Sequence, residues 1–156
     1  MGERIGSRLA PGSIVLLFGP LGAGKTTIAK GIAAGLGVAE TVTSPTYTIV
    51  SEYVGDLPLH HVDLYRITGE EEFIQLGLDD LFTGRGITLI EWPERAGGEL
   101  PREAIPIAIR IARGDQREIE GPADLLEPPA AGPQAAQAGP DSSGSVRHDV
   151  GEDADA

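Results

Sequence analysis

An α/β fold with a largely parallel central sheet, extended by antiparallel hairpin strands, is what this chain predicts, on three observations. The first is Ile14-Val15-Leu16-Leu17-Phe18, an apolar run with the length and composition of a buried strand. The second is Gly19-Pro20-Leu21-Gly22-Ala23-Gly24-Lys25-Thr26-Thr27, which follows directly and fits G-x-x-x-x-G-K-[ST] at every required position. The third is segment 27–36, whose Ile28, Ala29, Ile32, Ala33 and Leu36 fall on one helical face. Strand, glycine turn and helix in this order are the context the motif requires, and they predict a small P-loop NTPase fold.

In such a loop the glycines let backbone N–H groups converge on a polyphosphate, and the helix N-terminus adds its partial positive charge. The whole run from Gly19 to Thr27 is therefore the candidate nucleotide-binding segment. Lys25 is expected to reach the β and γ phosphates, and the Thr26 hydroxyl to sit on Mg²⁺. The competing reading, a glycine-rich turn that binds nothing, does not explain why sequence and context agree.

The 156 residues suggest one domain. We expect a nucleotide-binding domain over residues 1–127 and an acidic Pro/Ala/Gly-rich tail over 128–156, too poor in apolar surface to offset the cost of ordering and so disordered. Half of the net charge of −12 belongs to residues from Gly121 onward, where seven acids accompany one base. The body is acidic as well and shows no basic face, so direct tight binding of RNA by this chain alone is not expected. With no cysteine, disulfides and thiolate metal sites are excluded. His60, His61 and His148 lack the companions and spacing of a zinc site. No apolar run approaches membrane-spanning length and the N-terminus carries no signal-peptide pattern, which predicts a soluble cytoplasmic protein without membrane association.

In chain order, residues 3–10 suit a short helix that Pro11-Gly12 ends before the first strand. Gly35 and Gly37 stop the helix after the glycine loop. Thr41-Val42-Thr43-Ser44-Pro45-Thr46-Tyr47 is hydroxyl-rich and broken by proline, hence an extended loop. It reads either as a switch-like segment that brings a group such as Thr46 to the nucleotide, or as a connector with Tyr47 packed on the core.

Residues 47–54 and 59–64 are rich in strand formers and flank Gly55-Asp56-Leu57-Pro58, as in an antiparallel hairpin. Asp63, near the end of the second arm, is a candidate carboxylate for the metal's outer shell. Arg66 reads as the partner of an acid rather than of a phosphate. Thr68-Gly69-Glu70-Glu71 resembles a capping box opening a helix through Phe73, Ile74 and Leu76.

A second buried strand, Ile87-Thr88-Leu89-Ile90, runs into Glu91-Trp92-Pro93-Glu94. A carboxylate ending such a strand is suited to orienting water or holding Mg²⁺ through its shell, which makes Glu91 the foremost candidate outside the loop. Trp92 reads as core, as a stack for a base, or as partner-facing. Ile105, Ile107, Ile109 and Ile111 alternate with other residues along a strand with one apolar face, and Gly114-Asp115 turns into a closing strand over 117–120.

The phosphate loop, then SPTYT, then HVDLYR, then LIEWPER, in this order and at this compact spacing, resembles the bacterial TsaE family, also called YjeE. The resemblance spans about residues 12–120. It implies Mg-dependent ATP hydrolysis and association with two partners, TsaB and TsaD, whose complex transfers a threonylcarbamoyl group to adenosine 37 of tRNA. It further implies that Thr26 and Asp63 serve the metal, that Glu91 activates or orients water, and that Ser44-Pro45-Thr46-Tyr47 is switch-like. By the same likeness Lys25 and Glu91 are the catalytic pair, with ATP and Mg²⁺ as cofactors, and Trp92 lies near the nucleotide or partner surface. Pro20 stands where the family leads us to expect an acid, and an N-terminal strand usual in the family is expected to be shortened or missing.

Two other classes share the loop. A small-molecule kinase needs a lid and an acceptor pocket, for which little chain remains after Lys25. A guanine-nucleotide switch needs an Asn-Lys-x-Asp base reader, and the chain has no Asn. A nucleotide-binding scaffold without turnover of its own is the remaining alternative.

Overall fold

The structure, a computed structural model, describes residues 1–45 and 47–128; Thr46 and the expected disordered tail beyond Pro128 lie outside them. Six strands are described: β1 (Ile14–Phe18), β2 (Val50–Tyr53), β3 (Leu59–Asp63), β4 (Ile87–Glu91), β5 (Ile105–Ile111) and β6 (Arg117–Glu120). They form one sheet in the order β2-β3-β4-β1-β5-β6. The inner four run parallel, while β2 and β6 pair antiparallel to β3 and β5 at the edges. This is the mixed α/β architecture the sequence predicts.

Parallel neighbours on both sides explain the composition of the central strands, since such strands are covered on both faces and read as continuous apolar runs. Every residue of β4 is buried. One face carries Val15, Leu17, Leu59, Leu89 and Ile107 and packs against Ile28, Ala29, Ile32 and Ala33 of α2 (Lys25–Gly35). The other carries Ile14, Val62 and Ile90 and packs against Leu64, Ile67 and Phe73, the last on α3 (Glu70–Gln75). Because the inner strands are parallel, the segments leaving β1, β3 and β4 all emerge at one edge of the sheet. Ligands of open α/β sheets bind at that edge.

The N-terminal helix α1 (Gly2–Gly6) is shorter than expected, and among the described residues no strand precedes β1. It lies directly against α2, with Gly6 meeting the Ile32 carbonyl and Gly35 meeting the Glu3 carbonyl where any side chain would collide. Arg4 and Arg8 of this first segment donate to the carbonyls of Leu126, Asp124 and Glu127, closing the end of the short helix α5 (Ala123–Leu126). Helix α5 is too short for periodicity to reveal it.

Four local expectations are corrected. The first hairpin arm begins at Val50, not at residue 47. Ile49 adopts a left-handed backbone (φ 65°) and donates its N–H to the Pro45 carbonyl, so residues 47–49 turn rather than extend the strand. Tyr47 is 85% exposed, which removes the reading in which it packs on the core. The helix after Thr68 begins at Glu70 with Gly69 as its N-cap, so the residue that reaches back is Glu72 and not Glu71. Its carboxylate accepts from both the amide and the hydroxyl of Thr68, which hold it below the usual carboxylate range. Ile111 is half exposed, since β5 outruns β1 after the pairing of Phe18 with Ala108.

Among the described residues no helix is long and apolar enough to cross a membrane. The α1–α2 contact gives a test of the fold. Alanine at Gly35 gains up to about 1 kcal/mol of helix propensity, but the new methyl meets main chain that cannot swing aside, at a cost of about 1–3 kcal/mol. Gly35→Ala is therefore expected to lower stability in denaturant unfolding, whereas the same change at exposed Gly98 is expected to leave the midpoint nearly unchanged.

Candidate nucleotide site

Strand β1 ends at Phe18 and the chain turns at Gly19, whose φ is 151°. A Cβ there would stand 2.6 Å from the Ile109 carbonyl oxygen, so only glycine lets the loop leave between β1 and β5. The turn closes with Ala23 N–H donating to the Pro20 carbonyl, and left-handed Gly24 (φ 103°) forms the N-cap of α2. Ile28 N–H donates to the Gly24 carbonyl. The amides of Lys25, Thr26 and Thr27 precede that bond and have no helical partner, the arrangement that favours an anion at a helix N-terminus.

A cavity of about 470 Å³ opens there. The loop lines it with Leu21, Gly22, Gly24, Lys25, Thr26 and Thr27, the segment before β2 adds Ser44, and the ends of β3 and β4 add Asp63, Tyr65, Glu91 and Trp92. Strand register explains the meeting: Glu91 lies opposite Leu17 on one side and Asp63 on the other. The two carboxylates are thus delivered to the loop at one level of the sheet.

Thr26 Oγ1 donates to Glu91, 2.9 Å from Oε1 and 3.1 Å from Oε2. Glu91 is only 3% exposed and its Oε1 also lies 2.8 Å from Nε2 of fully buried His61. Asp63 is held by two donors, the Ser44 hydroxyl on Oδ2 at 2.5 Å and the Tyr65 amide on Oδ1 at 3.0 Å. Lys25 Nζ donates to the carbonyls of Gly19 (2.6 Å) and Pro20 (3.0 Å) and stands 3.7 Å from the centre of the Trp92 ring. Burial pushes its ammonium below the usual lysine range, opposed by the negative charges of Glu91, Glu94 and Asp63.

Trp92 reaches this position through a left-handed backbone (φ 59°, ψ 46°) at the start of the Pro93–Ala96 turn. The following proline disfavours the right-handed alternative. Its ring also meets Tyr65, with centroids 5.0 Å apart. On the far side of the loop, Arg117 of β6 donates Nε to the Ala23 carbonyl at 3.0 Å and Nη2 to the Gly22 carbonyl at 3.3 Å.

Of the expected residues, Leu21, Gly22, Gly24, Lys25, Thr26, Thr27, Asp63, Glu91 and Trp92 come together in the cavity. Gly19 and Pro20 contribute carbonyls to Lys25 rather than cavity wall, and Ala23 lines a neighbouring hollow. Among the described residues Arg66 pairs with no acid; its guanidinium lies over the Tyr47 ring at 4.9 Å. Thr46 is outside the described residues. Sequence reasoning passed over Tyr65, His61 and Arg117. His61 had a usable signal, since it precedes Asp63 by two positions and so shares its face of a strand. Arg117 had none, because its contact with the loop joins distant parts of the chain.

Among the described residues, no three His, Cys, Asp or Glu side chains gather as a ready metal cage. The oxygen set of Thr26, Asp63 and Glu91 still fits Mg²⁺. That ion keeps several waters and takes other ligands from phosphate, so it needs only one or two protein oxygens.

A glycine loop between a buried strand and a helix N-terminus, with carboxylates offered from two adjacent parallel strands, defines the phosphate-loop class of α/β proteins. Within it, the family profile described as threonylcarbamoyl adenosine biosynthesis protein TsaE matches residues 1–119. The TsaE protein of Treponema pallidum is 43% identical over 118 residues, covering 76% of this chain and 87% of that protein. That of Bacillus subtilis is 50% identical over 110 residues, covering 70% and 68%. The crystal structure of Bacillus subtilis YdiB matches with a TM-score of 0.65 at 42% identity, over 76% of this chain and 72% of that one. The chain belongs to the TsaE family.

The Arg117 clamp can be tested without a ligand. Hydrogen bonds from a charged donor contribute about 1.5–3 kcal/mol. Arg117→Met is accordingly expected to speed amide hydrogen exchange at Ala23, whose N–H is held by the Pro20 carbonyl, by about 10- to 100-fold, with exchange in β4 unchanged.

Proposed function

We propose that this chain is a Mg-dependent ATPase subunit needed for threonylcarbamoyl modification of adenosine 37 in tRNA, acting with TsaB and TsaD. The observation that carries the reading is the bond between Thr26 of the loop and Glu91 of β4 inside one cavity. It puts the candidate metal hydroxyl and the candidate water-orienting carboxylate within contact of each other. The unpaired amides at the start of α2 suit the phosphates, and Lys25 supplies a desolvated cation whose present partners, two carbonyls and an aromatic face, carry no charge. A triphosphate competes well for such a cation.

Mg²⁺, when bound, would neutralise charge on the phosphate oxygens. Thr26 would hold it, with Asp63 and Glu91 acting on its waters. Glu91 also orients the attacking water and accepts its proton. The hollow of about 290 Å³ beside Ala23, walled by Thr27, Ile28, Ile109, Arg117 and Ile119, supports placing the adenine there. The acidic chain favours contact with tRNA through the partner complex alone.

Phosphate release is to be measured with TsaB, TsaD and tRNA supplied. We expect Lys25→Ala to abolish the nucleotide-dependent part; equal rates for the two proteins would refute hydrolysis and leave a binding scaffold. Glu91→Gln is expected to keep nucleotide affinity while turnover falls by about 10²- to 10⁴-fold, the range of general acid–base contributions. Loss of affinity at unchanged stability would instead place Glu91 in the binding shell. Nucleotide-dependent capture of the chain by TsaB and TsaD tests the partnership.

A further inference from the structure

His61 sits in β3 with no solvent exposure, between Ser51 of β2 and Leu89 of β4, and does not line the nucleotide cavity. Its Nε2 is 2.8 Å from Glu91 Oε1, while its Nδ1 is buried with no hydrogen-bond partner among the described residues. An aliphatic residue would fill this position without leaving a ring nitrogen unpaired. The polar ring is therefore explained by Glu91 and by nothing else among the described contacts.

The orphan nitrogen also assigns the tautomer. A buried N–H without an acceptor is the rarer and costlier defect, so the proton belongs on Nε2 and the lone pair on Nδ1. An ionised carboxylate only accepts, and Nε2–H donates to it. Register makes the bond possible: His61 lies opposite Leu89, and Glu91 is two residues further along the same face of β4.

Glu91 thus has two side-chain donors, Thr26 and His61. Under the function proposed above, on which this inference rests, the Thr26 hydroxyl turns its oxygen to the metal. His61 is then the donor that remains. We propose that His61 is a positioning residue that pins Oε1 of Glu91 from inside the core, so that Oε2 stays presented to the cavity and the water within it. It touches neither nucleotide nor metal.

Three variants separate this role from simple core filling. The amide nitrogen of Gln reproduces the place of Nε2, that of Asn the place of Nδ1, and Leu supplies volume without a donor. With partners and tRNA present, His61→Leu is expected to lower kcat by about 10- to 100-fold, as loss of an orienting partner does elsewhere, with KM and nucleotide affinity unchanged. His61→Gln is expected to recover most of that rate and His61→Asn little of it. Full activity in His61→Leu, or equal loss in all three variants, would overturn the proposal.

Ring ¹⁵N spectra of the unaltered protein, with the His61 signal identified by its loss in His61→Gln, test the hydrogen bond on which the role depends without measuring turnover. A proton on Nε2 is expected, and its absence would overturn the proposal. The Lys25→Ala control keeps the two failures apart. Equal phosphate release by that variant and the unaltered protein removes the hydrolytic reading, whereas the ring spectrum tests the hydrogen bond alone.

Discussion

A carboxylate at the end of a strand buried along its whole length must be supplied with donors or lose its charge. Glu91 is such a group, and much of the site can be understood as the arrangement that supplies its donors and aims it. Thr26 approaches from the glycine loop and His61 from the adjacent strand, so one side chain joins β1's loop, β3 and β4. Neither contact exists unless β4 lies between β1 and β3 in parallel register. The sheet order is thereby a condition of the chemistry as well as of the core.

The loop shows the complementary problem. Lys25 is 5% exposed, and its cation is met by carbonyl oxygens and the Trp92 face while the acids act on it only at longer range. The left-handed backbone of Trp92 is needed to bring the ring there, and Pro93 and Tyr65 hold it in place. Arg117 fixes the outer side of the loop through its carbonyls. The loop is consequently gripped from both sides, and its amides have little freedom to lose when an anion binds, which is the economy of preorganisation.

Much of this was legible in the chain because the signals were local. The glycine motif, the apolar runs of β1 and β4 and the helical face of α2 each announce themselves within a few residues, and they predicted the class of fold. The motif order HVDLYR then LIEWPER led to the family before any geometry was known. What escaped were features whose cause is distant or subtle: the left-handed turn at Ile49, the shift of the α3 cap to Gly69 and Glu72, and the clamp from Arg117. In sequence Arg66 reads as the partner of an acid, and only the turn that exposes Tyr47 shows why its guanidinium lies on a ring instead.

By itself the sequence determined that a phosphate loop stands between a buried strand and a helix, since φ-permissive glycines, an apolar run and a 3.6-residue period are properties of neighbouring residues. It also nominated Asp63 and Glu91, because a carboxylate closing an apolar run stands out in composition alone. Only the tertiary structure decided that these residues meet. Pairing between strands far apart in sequence set Leu17, Asp63 and Glu91 at one level, and no local pattern encodes that register. Long-range register also makes His61, which the sequence sets aside only as a zinc ligand, the inner support of the carboxylate.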